Sequence, residues 1–196
     1  MTVTKKANIV ANKYYSILAK ESGKALEVGD FNLENGGSVQ IWDNAFAESQ
    51  QWKIVEVEDG FYKIICRHSE KALDIVIGGI QNGAWLHQWD YKGVSNQLWM
   101  LEETTDGFFK IKSRLSGKCL DVVGINGENG SHVQIWEDLD GDNQKWSIVE
   151  VPLASKKPAA KKTAAPKAPK KTAAAPKAAK APTETAAAPK AAKAPT

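Results

Sequence analysis

The stretch His132–Trp146, HVQIWEDLDGDNQKW, places two tryptophans ten residues apart among polar side chains. The same arrangement occurs twice upstream, at an offset of 47 residues that is maintained without a gap. This fixed period indicates three internal repeats, 14–60, 61–107 and 108–154, between a lead-in of 1–13 and a tail of 155–196. The positions that share the period are Trp42, Trp89 and Trp136; Trp52, Trp99 and Trp146; Leu26, Leu73 and Leu120; Ile17, Ile64 and Ile111; and Gly36, Gly83 and Gly130.

Each repeat contains four short segments rich in β-branched and aromatic residues, separated by clusters of glycine, asparagine and aspartate. In the third repeat the segments are FFKIKS, KCLDVV, HVQIWE and QKWSIV. No segment shows a sustained helical period, so the sequence predicts an all-β domain. Four strands per repeat are also typical of a propeller blade, but propellers use about 4–8 blades and three would leave the ring too tight to close. We therefore expect three repeats that share one core in a threefold barrel.

The third segment of each repeat places its tryptophan on the outer face. Successive side chains of a strand point to opposite faces. Val133 and Ile135 therefore share the core face, while Gln134 and Trp136 share the other. The second repeat departs from this alternation, because Gln88 stands where the aliphatic residue would be.

The fourth segment has the reverse phase. Trp146 shares a face with Ile148, whereas Lys145 and Ser147 are expected to face water. We therefore predict that Trp146, like its equivalents in the other repeats, belongs to the core.

The second segment adds an acidic side chain to the outer face. In Leu120-Asp121-Val122 the aliphatic residues point inward, and Asp121 points outward. Each repeat thus places an acid, a glutamine or histidine, and a tryptophan close together, beside a polar loop. A pyranose ring has a face of C–H groups that packs on an indole, and hydroxyls that donate to a carboxylate. The pattern favours a sugar-binding site in each repeat.

Three motifs resemble those of the ricin B-type (QxW) lectin family: Gln50-Gln51-Trp52, Gln97-Leu98-Trp99 and Gln144-Lys145-Trp146. Each follows an LDV-like and a QIW-like segment. The resemblance covers about 14–154 and implies a β-trefoil: six strands in a barrel and six that cap it. In that family the acid of LDV, the Gln and aromatic residue of QIW and the Asn of NQxW bind sugar, and the Gln of NQxW braces the acid.

Carried onto this sequence, the resemblance implies one site per repeat. The third repeat has the full set, the second has His87 in place of glutamine, and the first departs twice, with the longer Glu27 and the shorter Ser49. We therefore rank the sites third, second, first. The implied residues are Asp121, Gln134, Trp136, Asn143 and Gln144 in the third repeat; Asp74, His87, Trp89, Asn96 and Gln97 in the second; and Glu27, Gln40, Trp42, Ser49 and Gln50 in the first.

The resemblance implies a non-catalytic, multivalent lectin. The family commonly binds galactose or N-acetylgalactosamine, and other members recognise xylan and other glycans. Each site offers one carboxylate rather than the pair that hydrolysis of a glycosidic bond requires, and the sequence has no nucleophile, nucleotide or zinc-protease motif. We expect no cofactor. The other interpretation of the outward tryptophans is a trefoil that has lost sugar binding and serves as a scaffold or a protein-binding module.

Two groups of residues raise the question of a metal site or a reactive thiol. Asp138, Asp140 and Asp142 have the density of a calcium loop, but an EF-hand loop starting at Asp138 needs Gly at position 143 and Glu at 149, which are Asn and Val. Cys66 and Cys119 occupy positions that hold alanine or serine in the other repeats, so we interpret them as small buried thiols. We expect no metal site.

The tail differs from the rest in charge. Residues 155–196 hold 11 lysines and one acid, a charge of +10, whereas residues 1–154 carry −7. Frequent prolines predict disorder, and the composition resembles that of linker-histone tails. The tail is either a solvated tether or a contact for nucleic acid or an anionic surface. The competing hypothesis for the whole chain is accordingly a nucleic-acid-associated protein whose trefoil is a scaffold. Without an apolar leader or span, cytoplasmic location is the default expectation, with leaderless secretion as the alternative.

Overall fold

The computed structural model describes residues 9–58, 60–124 and 127–152. The first eight residues of the lead-in and the whole basic tail, with the disorder expected for it, lie outside the described residues. Within that part of the chain the fold is all-β, as predicted. Its strands are β1 (Tyr15–Ala19), β2 (Ala25–Val28), β3 (Val39–Trp42), β4 (Trp52–Glu58), β5 (Phe61–Cys66), β6 (Ala72–Ile75), β7 (Ala84–Trp89), β8 (Trp99–Glu103), β9 (Phe109–Ser113), β10 (Cys119–Val122), β11 (Val133–Trp136) and β12 (Trp146–Glu150).

Six strands close a barrel, the first and last of each repeat. The antiparallel pairs run β1–β4, β4–β5, β5–β8, β8–β9, β9–β12 and back to β1, which pairs β12 along its whole length. The ring closes because β12 lies beside β1, so no barrel strand has an open edge.

The middle strands of each repeat form three hairpins, β2–β3, β6–β7 and β10–β11. The hairpins contact one another through isolated bridges and a short ladder that joins Gln134 to Trp85. A six-stranded barrel capped by three hairpins is a β-trefoil, which confirms the predicted fold.

The core lies inside the barrel and under the hairpins. The two predicted classes of tryptophan are confirmed: Trp52, Trp99 and Trp146 are 0% exposed, whereas Trp42 and Trp89 are 43% and 39% exposed and Trp136 is half-buried. Each core indole also donates a hydrogen bond, to the backbone oxygens of Leu26, Leu73 and Leu120, respectively. Leu26, Leu73 and Leu120 are themselves fully buried, so one equivalent contact recurs in each repeat.

Two expectations about exposure are wrong, those for the site acids and for Lys145, and the departure at Gln88 is explained. The site acids lie on the face opposite the core, but Asp121, Asp74 and Glu27 are only 3%, 4% and 9% exposed, because the following loop covers them. Lys145 is buried rather than facing water, since its ammonium group lies 3.3 Å from a carboxylate oxygen of Asp140. Gln88 occupies its core position fully buried, and its amide reaches across to the first repeat.

Gln88 remains buried because its polar atoms are satisfied. Its Nε2 donates to the backbone oxygens of Asn32 and Glu34, each at 2.9 Å, and its Oε1 accepts from the Ser69 hydroxyl at 2.6 Å. A buried amide costs little when it is fully hydrogen-bonded. Within the described residues, no helix has the length and hydropathy that a membrane span requires.

Candidate carbohydrate-binding sites

The third site is assembled around the Asp121 carboxylate on β10. Gln134 of the neighbouring strand β11 donates to Oδ1 at 2.9 Å. Asn143 and Gln144 donate to Oδ2 at 2.9 and 3.0 Å from the single 3-10 turn Asp142–Gln144. Trp136 stands half-buried beside them, so the structure brings all five predicted residues together.

Gln144 has the position expected of a brace. It is 1% exposed, and besides Asp121 it donates to the backbone oxygen of Glu137 and accepts from the backbone N–H of Leu139. These bonds fix the loop over the carboxylate. Asn143 remains partly exposed, so its amide is accessible from solvent while it holds Asp121.

Burial raises the pKa of the Asp121 carboxyl, because desolvation disfavours the charged form. The hydrogen bonds from Gln134, Gln144 and Asn143 act in the opposite direction and do not outweigh it. A carboxylate that is already desolvated and oriented is well suited to accept from a hydroxyl that enters the cavity it lines.

The second site uses histidine in the role of glutamine. His87 Nε2 lies 2.8 Å from Asp74 Oδ1, and the imidazole stacks on Trp89 with centroids 5.2 Å apart. Asn96 bridges both carboxylate oxygens at 3.1 Å. Gln97 Nε2 donates to the backbone oxygen of Asp90, as Gln144 does to that of Glu137. Unlike Gln144, however, Gln97 has no hydrogen bond to its site acid, Asp74, among the described residues.

The first site keeps the acid–amide core despite its two departures. Gln40 donates to Glu27 Oε1 at 2.9 Å and Gln50 to Oε2 at 2.8 Å, so the longer side chain is fully engaged. Ser49 is 1% exposed, and among the described residues no hydrogen bond joins it to Glu27. This site therefore lacks the half-exposed amide that the other two present.

A clamp from a neighbouring repeat fixes each outward tryptophan. A Cβ added to Gly83 would lie 3.7 Å from the Trp136 ring, and Asn82 Oδ1 accepts from the backbone N–H of Glu137 at 3.0 Å. Asn35-Gly36 holds Trp89 and Asn129-Gly130 holds Trp42 in the same way. These glycines have φ between 85° and 88°, the left-handed region that favours glycine.

The asparagines of this clamp are site residues that the sequence analysis missed. Asn35, Asn82 and Asn129 repeat at the same 47-residue period and precede the repeated glycines. The period could have revealed them as structurally constrained positions, although the sequence does not show which repeat they contact.

The aspartates of the calcium-like run are paired with lysines. Asp138 contacts Lys110 and Lys112, and Asp140 contacts Lys110 and Lys145, all at 2.8 to 3.3 Å. Across the ranges that the structure describes, no group of three or more His, Cys, Asp or Glu side chains is placed to hold a metal ion.

Both cysteines are buried free thiols, as predicted. Burial raises the pKa of the Cys119 thiol to about 11 and also raises that of Cys66. Neither is therefore an activated nucleophile at neutral pH.

The three sites open into cavities of different size. The volumes are about 480 Å³ at the second site, 330 Å³ at the first and 170 Å³ at the third. The site with the most complete residue set thus has the smallest cavity of the three.

Comparison with known proteins assigns the family. The profile described as ricin-type beta-trefoil lectin domain-like matches residues 6–89 and 95–157, and the chain belongs to this family of carbohydrate-binding domains. No curated protein matches the sequence.

Solved structures show the same fold. ThreeFoil, a designed threefold-symmetric protein, is 38% identical with a TM-score of 0.70, over 70% of this chain and 99% of that one. An exo-beta-1,3-galactanase from Clostridium thermocellum is 36% identical with a TM-score of 0.70, over 74% of this chain but 32% of that one. The Macrolepiota procera ricin B-like lectin in complex with lactose is 18% identical with a TM-score of 0.64, over 73% and 99% of the two chains.

Proposed function

We propose that the trefoil is a non-catalytic lectin that binds sugars of the galactose type, galactose or N-acetylgalactosamine, through three sites. The observation that carries the proposal is the third site: a half-exposed indole beside a desolvated carboxylate that three amides orient. The indole would pack on the C–H face of the pyranose, while Asp121 accepts from its hydroxyls and Asn143 exchanges hydrogen bonds with them.

The galactose-type preference is supported by the names of two similar proteins. The 36% identical relative is named as a galactanase, and the Macrolepiota lectin was solved with lactose. The galactanase chain extends well beyond the shared region, since this chain covers only 32% of its length. We therefore assign the shared part a binding role rather than a hydrolytic one.

The geometry supports binding rather than catalysis. The second and third sites are each lined by one carboxylate, and at the third site three side-chain amides hold it. Asp30 lines the first site beside Glu27, whose carboxylate accepts from Gln40 and Gln50. Glycoside hydrolysis by a carboxylate pair needs two groups on either side of the scissile bond. Shallow single sites of this kind bind monosaccharides in about the millimolar range, near −4 kcal/mol, and three sites on one rigid body gain affinity for multivalent glycans.

A glycan array tests the assignment. The wild-type protein should bind glycans with terminal galactose or N-acetylgalactosamine, Trp136→Ala should bind less, and the triple variant of Trp42, Trp89 and Trp136 to alanine should not bind. The matched control is Trp85→Ala, which removes an indole that is 54% exposed but lies outside the three sites. Absence of wild-type binding, or full binding by the triple variant, would overturn the proposal.

For the tail we infer a second role, electrostatic contact with nucleic acid or another polyanion. Its support is the charge of +10 over residues 155–196, opposite in sign to the rest of the chain. Retardation of duplex DNA by the full chain should weaken steeply with salt. A full-length variant with the tail lysines replaced by glutamine should not retard the DNA; retained retardation would assign the contact to the trefoil instead.

A further inference from the structure

The position three residues after the site acid differs in chemistry among the repeats. It holds Asp30, Ile77 and Gly124, with φ of 53°, 53° and 79°. These angles lie in the left-handed region, which glycine adopts freely and aspartate tolerates. For a β-branched residue such as isoleucine the conformation is a strained outlier.

Ile77 gains nothing from packing that would offset this strain. Ile77 is 97% exposed, so no neighbouring residue of the folded domain shields it from water. It lines the cavity of the second site together with Trp89 and Asn96. Residues held in sparsely populated backbone conformations are concentrated at active sites and ligand-binding positions.

A second apolar side chain lies on the rim of the same cavity. Val94 is 45% exposed, and its equivalents in the other repeats are the smaller Ala47 and Gly141. Ile77 and Val94 thus add apolar walls to the second site, whose cavity of about 480 Å³ exceeds the 170 Å³ of the third site, where Gly124 takes the place of Ile77.

We propose that Ile77 and Val94 are the specificity-determining wall of the second site, and that this wall selects a sugar bearing an acetamido group over the parent hexose. The inference rests on the lectin function proposed above. Trp89 receives the face of the pyranose ring, and the acetamido methyl group packs against the two aliphatic side chains. The third site, with Gly124, lacks the wall and does not share the preference.

The test isolates the second site in the full-length chain. In a Trp42→Ala, Trp136→Ala background, titrations with galactose and with N-acetylgalactosamine, followed by the Trp89 indole signal in NMR spectra, give the ratio of the two affinities. We expect about a fourfold preference for the acetamido sugar, the factor that burial of one methyl group provides. Ile77→Gly should bring the ratio close to one, and Val94→Ala should lower it partway.

Two controls separate specificity from structural damage. Ile80→Ala truncates another exposed isoleucine, 60% exposed and outside the cavity, and should leave the ratio unchanged. Ile77→Gly should unfold at a denaturant concentration no lower than its parent, because glycine relieves the strain. An unchanged ratio in Ile77→Gly, with both sugars still bound, overturns the wall and leaves the lectin function intact. Absence of binding of both sugars in the isolating background overturns both.

Discussion

The indole Nε1 of Trp146 donates a 3.0 Å hydrogen bond to the backbone oxygen of Leu120, the residue that precedes the site acid Asp121. The same bond joins Trp99 to Leu73 and Trp52 to Leu26, each next to the acid of its own repeat. The core tryptophans therefore hold the strands from which the site acids project, and a buried contact sets the geometry of a surface site.

Replacement of Trp146 should reduce stability. Trp146→Ala should cost about 3–5 kcal/mol in the free energy of unfolding, because it leaves a large cavity. Trp146→Phe should cost about 1–3 kcal/mol for the unsatisfied Leu120 carbonyl in addition to any packing loss. Chemical denaturation measures both, with Trp136→Ala as the control that should change stability by less than about 1 kcal/mol. A larger loss in the control than in Trp146→Ala would contradict the division into core and outer tryptophans.

Asn82→Ala should weaken the third site from within the second repeat. Asn82 holds the backbone that follows Trp136, so its loss should reduce sugar affinity at that site by about three- to tenfold, the worth of one hydrogen bond. NMR titration of the Trp136 indole signal measures the effect. Asn35→Ala is the matched control, since its contact is to Asp90 beside Trp89. It should affect the second site, and equal effects of both variants at the third site would rule out a specific clamp.

Sugar binding at the third site should be lost on acidification, beginning above the ordinary aspartate pKa of 3.8. Burial raises the pKa of Asp121, so protonation removes its acceptor at a higher pH than for an exposed aspartate. Affinity measured by titration between about pH 3 and 7 should fall through the raised value. Asp121→Asn should bind weakly and without this transition; a transition that persists in the variant would assign it to another group.

The same shift acts on folding in the opposite direction. Because the folded chain binds the Asp121 proton more tightly than the unfolded chain, its contribution to stability is complete below the unfolded pKa. The contribution declines as pH rises through the folded pKa. The charged Asp121 carboxylate that sugar binding needs at neutral pH therefore lowers the stability of the folded chain.

Asp138 should contribute to acid denaturation. Burial acts to raise its pKa, but hydrogen bonds from Lys110 and Lys112 outweigh it and lower the pKa from 3.8 to about 2. The depressed folded value means that its stabilising effect is present above about pH 4 and is lost as pH falls toward 2. Denaturation midpoints across that window should fall less steeply in Asp138→Asn than in the wild type. Parallel curves would show that these lysine contacts do not stabilise the fold.

The 47-residue period and strand alternation were sufficient to predict an all-β threefold domain and the facing of the six repeated tryptophans, whereas the β-trefoil itself was implied by the family resemblance. Alternation places Trp136 beside Gln134 and Trp146 beside Ile148, and a 47-residue period leaves no freedom in how the repeats correspond. The identities of the site residues followed from family resemblance, and the structure brings them together around each acid.

Alternation could not predict burial, because burial depends on contacts between elements distant in sequence. Asp121 lies on the predicted face, but the turn that carries Asn143 and Gln144 covers it. Gln88 looked like a defect in the pattern and is a buried link to the first repeat. The left-handed conformation of Ile77 was also not predicted, since isoleucine rarely adopts a positive φ.

The asparagine–glycine clamps all run in one direction around the barrel, from the first repeat to the second, the second to the third and the third to the first. Each site consequently belongs to a junction between two repeats. Exchange of a single repeat for that of another family member would alter two sites, the one it carries and the one it clamps. The natural unit for engineering specificity in this protein is therefore the interface between successive repeats, and the sites exist as a set only in a closed ring.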